Sequence, residues 1–285
     1  MSPQQAIELI NAQEHTSWVL DAQFSGGTDE GAFRVKAPDG QTQVLKISHN
    51  PMWISQVQRA TAATGHLKSV GYPVPTYTLS GSTDSATYWL QSELSGAATE
   101  QPTAEQVTDL IRIIDLQKDQ AISELQGQDW DWYVADVVFQ GEGGNVRSMM
   151  QFSADTSALV SDIEQLVLGL QTKVLPKTDL VHGDMNIGQV FYQGPKVSGV
   201  LDWDQAGYGD RTIDFVALWY SLMSVPESRD LVMQHMLQVS DVEAIKIYAA
   251  YKMMATVAWH INKVGGEVIA QISHARAALD LLRKL

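Results

Sequence analysis

Leu180-Val181-His182-Gly183-Asp184-Met185-Asn186-Ile187-Gly188-Gln189-Val190-Phe191-Tyr192, with Ser198-Gly199-Val200-Leu201-Asp202-Trp203-Asp204 just downstream, is the stretch that decides how this chain is read. Apolar runs end in a carboxylate twice, at Asp184 and Asp202, eighteen positions apart with a hairpin's worth of residues between them. Leu180 to His182, Val190 to Tyr192 and Val197 to Leu201 read as short strands, which places both aspartates at the same end of one small sheet. Two readings stay open from these residues alone. Aspartate commonly ends strands by capping turns. Two converging carboxylates are also the minimal set for phosphoryl transfer, which needs an oriented acceptor hydroxyl and a cation that neutralises phosphate oxygens.

Outward toward the amino terminus, Ser2-Pro3 opens a short helix to about Gln13, with proline at the first helical position. Trp18 to Phe24, Ala32 to Lys36 and Gln43 to Ile47 read as strands. The last two are joined by the turn Ala37-Pro38-Asp39-Gly40, and the first two by a glycine-containing loop from Ser25 to Gly31. Asn50-Pro51 starts a helix that runs to about Ser69 and stops at Gly71, because Pro73 and Pro75 forbid its continuation. Thr76 to Ser80 and Ala86 to Ser92 complete the order β-β-β-α-β-β. From Gln101 the pattern turns helical, opening with the capping pair Thr103 and Gln106. A loop is expected at Gly141, Gly143 and Gly144, then an amphipathic segment from Thr156 to Gln171. After the Asp202 region come helices at about Arg211–Ser224, Glu227–Gln238, Val242–Lys263 and Glu267–Arg283.

Composition narrows the function classes. The chain has 285 residues, enough for one bilobal unit or two modest domains with a cleft between them. It has no cysteine, which removes disulfide frameworks and thiolate metal sites and fits a reducing compartment. No long apolar run and no basic-then-apolar leader is present, so a cytoplasmic protein without a membrane partner is expected. Thirty-three acidic against nineteen basic side chains give a net charge of −14, which argues against nucleic acid and toward cationic partners.

The stretch quoted at the outset resembles the aminoglycoside phosphotransferase and choline kinase family of protein-kinase-like enzymes. That family's pattern is His-Gly-Asp, four residues, Asn, then a strand ending in Asp-Trp. It is matched here by His182, Gly183, Asp184, Asp202 and Trp203, and further by Ala206-Gly207-Tyr208-Gly209-Asp210 and Asp214-Phe215. The resemblance implies an α+β, bilobal, protein-kinase-like fold. Residues 1–95 would form an amino-terminal nucleotide-binding lobe with a five-stranded antiparallel sheet and a helix. Residues 96–285 would form a mainly helical lobe with the catalytic loop and acceptor site. ATP and Mg2+ are the implied cofactors, with Asp184 as catalytic carboxylate and Asp202 as metal ligand. Lys46 would meet the α- and β-phosphates, and Gly26, Gly27 and Gly31 would let backbone amides approach the triphosphate. Backbone groups near Ser92 and Leu94 would hold adenine, and Asp210 and Asp214 would tie a helix to the catalytic loop.

Two positions depart from the family. Gln189 stands where the family has its asparagine metal ligand; it offers the same amide oxygen on a longer stem, with Asn186 nearby. Residues 51 to 75 contain no acidic side chain to orient Lys46, which leaves Gln56, Gln58 or an acidic residue elsewhere in the chain as candidates. For the acceptor, the acidic and aromatic segment Asp129, Asp131, Trp132, Asp136 and Glu142, together with Asp204, suits a cationic small molecule. An aminoglycoside-type antibiotic is the leading acceptor, choline, an amino alcohol or a sugar amine the metabolic alternative, and nucleotide binding without transfer the third reading. Either a monomer or a homodimer is compatible with the sequence.

Overall fold

The structure, a computed structural model, describes residues 1–24, 31–141, 146–264 and 268–285. Helix α1 (Pro3–Glu14) starts with a reciprocal cap in which the Ser2 hydroxyl accepts from the Gln5 amide and the Gln5 side chain accepts from the Ser2 amide. Strands β1 (Val19–Gln23), β2 (Ala32–Lys36) and β3 (Thr42–Ser48) follow, then helix α2 (Ile54–Ser69) and strands β4 (Tyr77–Thr83) and β5 (Ala86–Ser92). The five strands form one antiparallel sheet in the order β1-β2-β3-β5-β4.

Helix α1 covers one face of this sheet. Its Ala6, Ile7 and Ile10 pack with Val35, Leu45, Ile47, Ala86, Tyr88 and Leu90 in a small core of their own. Helix α2 turns the other way and gives Ala60, Ala63 and Leu67 to the large core of the rest of the chain. The helix that lies among the amino-terminal strands in sequence is therefore fixed to the helical part by packing.

That larger part contains α3 (Ala104–Asp115), α4 (Trp130–Ala135), α5 (Val146–Phe152), α6 (Ala154–Leu166), β6 (Asp179–Val181), β7 (Val190–Gln193), β8 (Lys196–Val200), β9 (Gly207–Gly209), α7 (Thr212–Ser221), α8 (Pro226–Val239), α9 (Val242–Trp259) and α10 (Val268–Leu282). Thr103 and Gln106 form the expected reciprocal cap of α3. Helix α4 runs on into a wide π-type turn, Asp136–Gln140. Helix α7 is buried from Thr212 to Tyr220 without a break, and α9 buries residues on nearly every side. These two helices are the centre of the core, around which the short strands β6 to β9 are laid.

The short strands do not join in one sheet as expected. Strand β6 pairs with β9 (Leu180 opposite Tyr208), while β7 and β8 form a separate hairpin. Glycine at 207 explains the pairing, because a Cβ there would come within 2.5 Å of the Gln128 carbonyl oxygen and 2.7 Å of the Trp130 ring. Between the five-stranded sheet and the helical part, Gly96 adopts a left-handed conformation with φ of 95° and docks the chain on β7, where the Ala97 and Tyr192 amides and carbonyls exchange bonds. Among the described residues, no helix is long and apolar enough to cross a membrane.

Candidate active site

Asp184 and Asp202 are brought together by hydrogen bonds between the two small sheets. His182, fully buried, has its Nε2 2.7 Å from the Leu201 carbonyl oxygen, while its Nδ1 accepts from the Asp184 amide at 3.2 Å. The second contact fixes the tautomer: Nδ1 must be the acceptor, so Nε2 carries the proton and donates to Leu201. The Leu201 amide in turn donates to the Gln189 carbonyl oxygen at 2.9 Å. One imidazole thus ties the residue before Asp202 to the residue two before Asp184, and its ring packs edge-on against Trp203 at 4.5 Å.

From below, the loop is held by Asp214 on α7. Its carboxylate accepts from the His182 amide at 2.7 Å, the Gly183 amide at 2.9 Å and the Gln117 side chain at 3.0 Å. Burial raises the Asp214 carboxyl above its ordinary range, opposed by His182 and these N–H donors. Asp210 receives the Thr212 amide at 2.8 Å and caps the same helix. Gly183 is required twice over: its φ is 85°, and a Cβ would lie 2.1 Å from the Trp130 ring.

From the five-stranded sheet, the Lys46 ammonium on β3 makes a close ion pair with Asp202 Oδ1. This contact bridges sheet and helical part, and it supplies the carboxylate that α2 lacks. Gln56, one of the two candidates on α2, instead has its side-chain oxygen buried without a hydrogen-bond partner. Asp202 is held in the left-handed region, φ 60° and ψ 59°, a conformation aspartate tolerates better than most residues and one that recurs where geometry is functionally constrained.

Gln189 sits beside Asp184. Its Nε2 donates to Asp184 Oδ2 at 3.2 Å, which turns its Oε1 away, and that oxygen is buried with no partner. An unpartnered amide oxygen beside a carboxylate is the donor set a hard cation takes. Among the described residues no three His, Cys, Asp or Glu side chains form a metal cage. Asn186 does not share this position: its side chain donates to the Asp184 carbonyl and accepts from the Gly188 amide.

The remaining expected residues divide sharply. Gly31 lies beside the sheet with φ of 84°, while Gly26, Gly27 and Glu142 fall outside the described residues. The Ser92 amide donates to the Thr76 carbonyl at 2.8 Å, which leaves it nothing to offer adenine. Leu94 follows the strand, its side chain lying where a Cβ on Gly199 would meet it, and Glu93 between them is pinned by Arg34 of β2. Asp129 caps α4 through the Trp132 amide and binds Lys177 at 2.7 Å and the Tyr208 hydroxyl at 3.0 Å. Burial acts to raise its carboxyl, but these partners outweigh it and lower the pKa. Asp131 is buried against the Tyr248 hydroxyl at 2.9 Å, and burial pushes its carboxyl up to about 7. Both are structural contacts turned into the fold.

Trp132 is 65% exposed, and Asp136 opens the π-type turn. Asp204 is partly buried beside the cleft; burial, then the Asp202 charge, raises its carboxyl against the pull of Lys46, and Arg59 on α2 feels its charge. Two participants escaped the sequence reading. Gln117 braces Asp214, and Lys252 on α9 places its ammonium 3.4 Å from Asp184 Oδ1. A single lysine amid the apolar run from Ile247 to Trp259 was the available signal for the second. Tyr251 beside it packs edge-on with Trp130 and Tyr133, centroids 5.9 Å apart in each pair, and forms an aromatic wall next to Asp184.

The model of the phosphotransferase enzyme family (APH) matches residues 22–238. No curated protein sequence matches the chain. Among solved structures, one similar fold is a thermostable mutant of aminoglycoside phosphotransferase APH(4)-Ia in a ternary complex with ADP and hygromycin B. It is 16% identical with a TM-score of 0.71, over 97% of this chain and 96% of that one. Choline kinase LicA from Streptococcus pneumoniae is 13% identical with a TM-score of 0.69, over 98% and 99%. Macrolide 2'-phosphotransferase MphH from Brachybacterium faecium is 15% identical with a TM-score of 0.64, over 97% and 98%. At these identities the likeness is one of fold.

Proposed function

Because this chain belongs to the phosphotransferase enzyme family, we propose that it transfers the γ-phosphate of ATP to a hydroxyl group of a small molecule. The observation that carries this reading is the pairing of Lys46 with Asp202 across the cleft, beside an Asp184 whose carboxylate is held by Gln189. Asp184 orients the acceptor hydroxyl and takes its proton as the oxygen attacks phosphorus. Lys46 turns its ammonium to the α- and β-phosphates. Asp202 and the Gln189 amide oxygen are the residues that would hold magnesium, which when bound neutralises charge on the phosphate oxygens. His182, Asp214 and Gln117 move no proton; they fix the backbone on which both carboxylates are mounted.

The acceptor class rests on charge. The net charge of −14 and Asp136 beside the Tyr133 ring, which packs on Tyr251, favour a cationic acceptor of the aminoglycoside type. Lys252 next to Asp184 requires the ammonium groups of such an acceptor to lie toward Asp136 and away from the reacting hydroxyl. Choline, other amino alcohols and sugar amines are the metabolic alternative. An ATP-consumption screen with magnesium over aminoglycosides, macrolides, choline, amino alcohols and sugar amines tests the reading. Acceptor-dependent ADP formation that Asp184→Asn abolishes is the expected result. Nucleotide binding without turnover on any acceptor would favour a binding module instead.

A further inference from the structure

Lys252 is out of keeping with its helix. Helix α9 carries Glu243, Lys246 and Lys252, and beyond its first turns Lys252 is the single charge. Its neighbours Tyr251, Met253 and Met254 are buried, and its own side chain is only 18% exposed. A charge in such a setting is costly unless it meets an opposite one. The partner is Asp184 Oδ1, at 3.4 Å. That separation is longer than the roughly 2.7–2.9 Å of a closed charge-assisted bond. The Lys46 and Asp202 pair, by contrast, is in close contact. Lys252 is aimed at the reacting carboxylate without being locked to it.

We infer that Lys252 is a phosphoryl-binding residue, donating to an oxygen of the γ-phosphoryl group when a nucleoside triphosphate is bound. The inference rests on the phosphotransferase reading above. Asp184 must touch the acceptor hydroxyl, and that oxygen must approach phosphorus within about 3–3.5 Å before reaction. A cation 3.4 Å from Asp184 therefore lies within one swing of a lysine stem of the phosphoryl oxygens. Lys46 is committed to the opposite side of the cleft with Asp202, so the end of the triphosphate nearest the acceptor is left to Lys252. In the transfer, the acceptor oxygen forms its bond to phosphorus and the bond from phosphorus to the departing ADP oxygen breaks. The hydroxyl proton passes to Asp184, and Lys252 stays protonated throughout, neutralising the phosphoryl oxygens in flight.

The test needs no acceptor. Calorimetric titrations with magnesium compare ADP and a non-hydrolysable ATP analogue on the wild type, Lys252→Met and Lys252→Arg. Lys252→Met is expected to lose about tenfold in affinity for the triphosphate while ADP stays within about twofold, which also shows that the variant is folded. Lys252→Arg is expected to keep most of the triphosphate preference. Unchanged triphosphate affinity in Lys252→Met, or an equal loss for ADP, overturns the inference, as does an arginine variant that no longer prefers triphosphate. Wild-type protein that binds neither nucleotide would take down the phosphotransferase reading itself, and this inference with it.

Discussion

Two lysine and aspartate pairs face each other across this molecule, and they are built differently. In one, Lys46 from the sheet closes tightly on Asp202, whose backbone is held in a left-handed conformation. In the other, Lys252 from α9 stands 3.4 Å off Asp184, and the other oxygen of that carboxylate is contacted by the Gln189 amide. The tight pair joins two parts of the chain with separate cores, so it doubles as a clasp. The loose pair lies within one core, where packing of α9 sets the spacing and no clasp is required. Charge is thus used for assembly on one side and left available on the other.

The comparison breaks most completely at Asp184. Asp184→Asn is expected to lower kcat by about 10²–10⁴-fold, while calorimetric affinity for ATP changes little because the Lys46 and Asp202 pair is intact. Gly183→Ala attacks the same side through the backbone. A left-handed alanine and its clash with Trp130 should cost roughly 2–4 kcal/mol in urea unfolding. Lys46→Met breaks the opposite pair: nucleotide affinity should fall by about 10–100-fold, with a smaller loss of stability as Asp202 is left beside Asp204.

The finest distinction is in pH dependence. Asp131, in the first turn of α4, has its carboxyl raised by burial from 3.8 to about 7. Between those values the folded chain binds a proton that the unfolded chain does not, so this group's contribution to stability falls as pH rises and levels off above about 7. Asp131→Asn keeps the acceptor for the Tyr248 hydroxyl and removes the effect. Urea midpoints of variant and wild type should agree near pH 4 and separate in the variant's favour, by about 1–3 kcal/mol, near pH 8. A separation that opens toward low pH would contradict the burial argument.

The sheet was legible because its strands are β-type segments bounded by turn and loop signals such as Ala37-Pro38-Asp39-Gly40. Helix starts were legible where a cap is written in sequence, as at Ser2 and Thr103. Strand β9 was not, because Gly207-Tyr208-Gly209 has no strand propensity of its own and pairs only because its glycines fit against Trp130. Helix α5 was hidden for a similar reason, having one turn of buried contacts at Val146 and Met149 and little else. In the site, two strand-ending carboxylates singled out Asp184 and Asp202, and the family resemblance added Gln189 and Lys46; in the structure Lys46 contacts Asp202 and Gln189 contacts Asp184. For the acceptor, Asp129 and Asp131 look like a cationic-ligand surface in sequence, and the partners they have in the structure, Lys177, Tyr208 and Tyr248, are too distant along the chain to be read there. Lys252 went unnoticed because a lone lysine in an apolar helix reads as a snorkelling side chain until the carboxylate it faces is known.

The central claim is that Asp202 and Gln189 serve a cation that acts together with Lys46 on a bound triphosphate. It is tested most directly by calorimetric titration of ATP with and without magnesium, on wild type and on Asp202→Asn. The account predicts that magnesium tightens ATP binding to the wild type by tenfold or more, on the order of one charge-assisted contact, and that Asp202→Asn loses this gain while still binding metal-free nucleotide through Lys46. Wild-type affinity indifferent to magnesium, or a full magnesium response in Asp202→Asn, would contradict it.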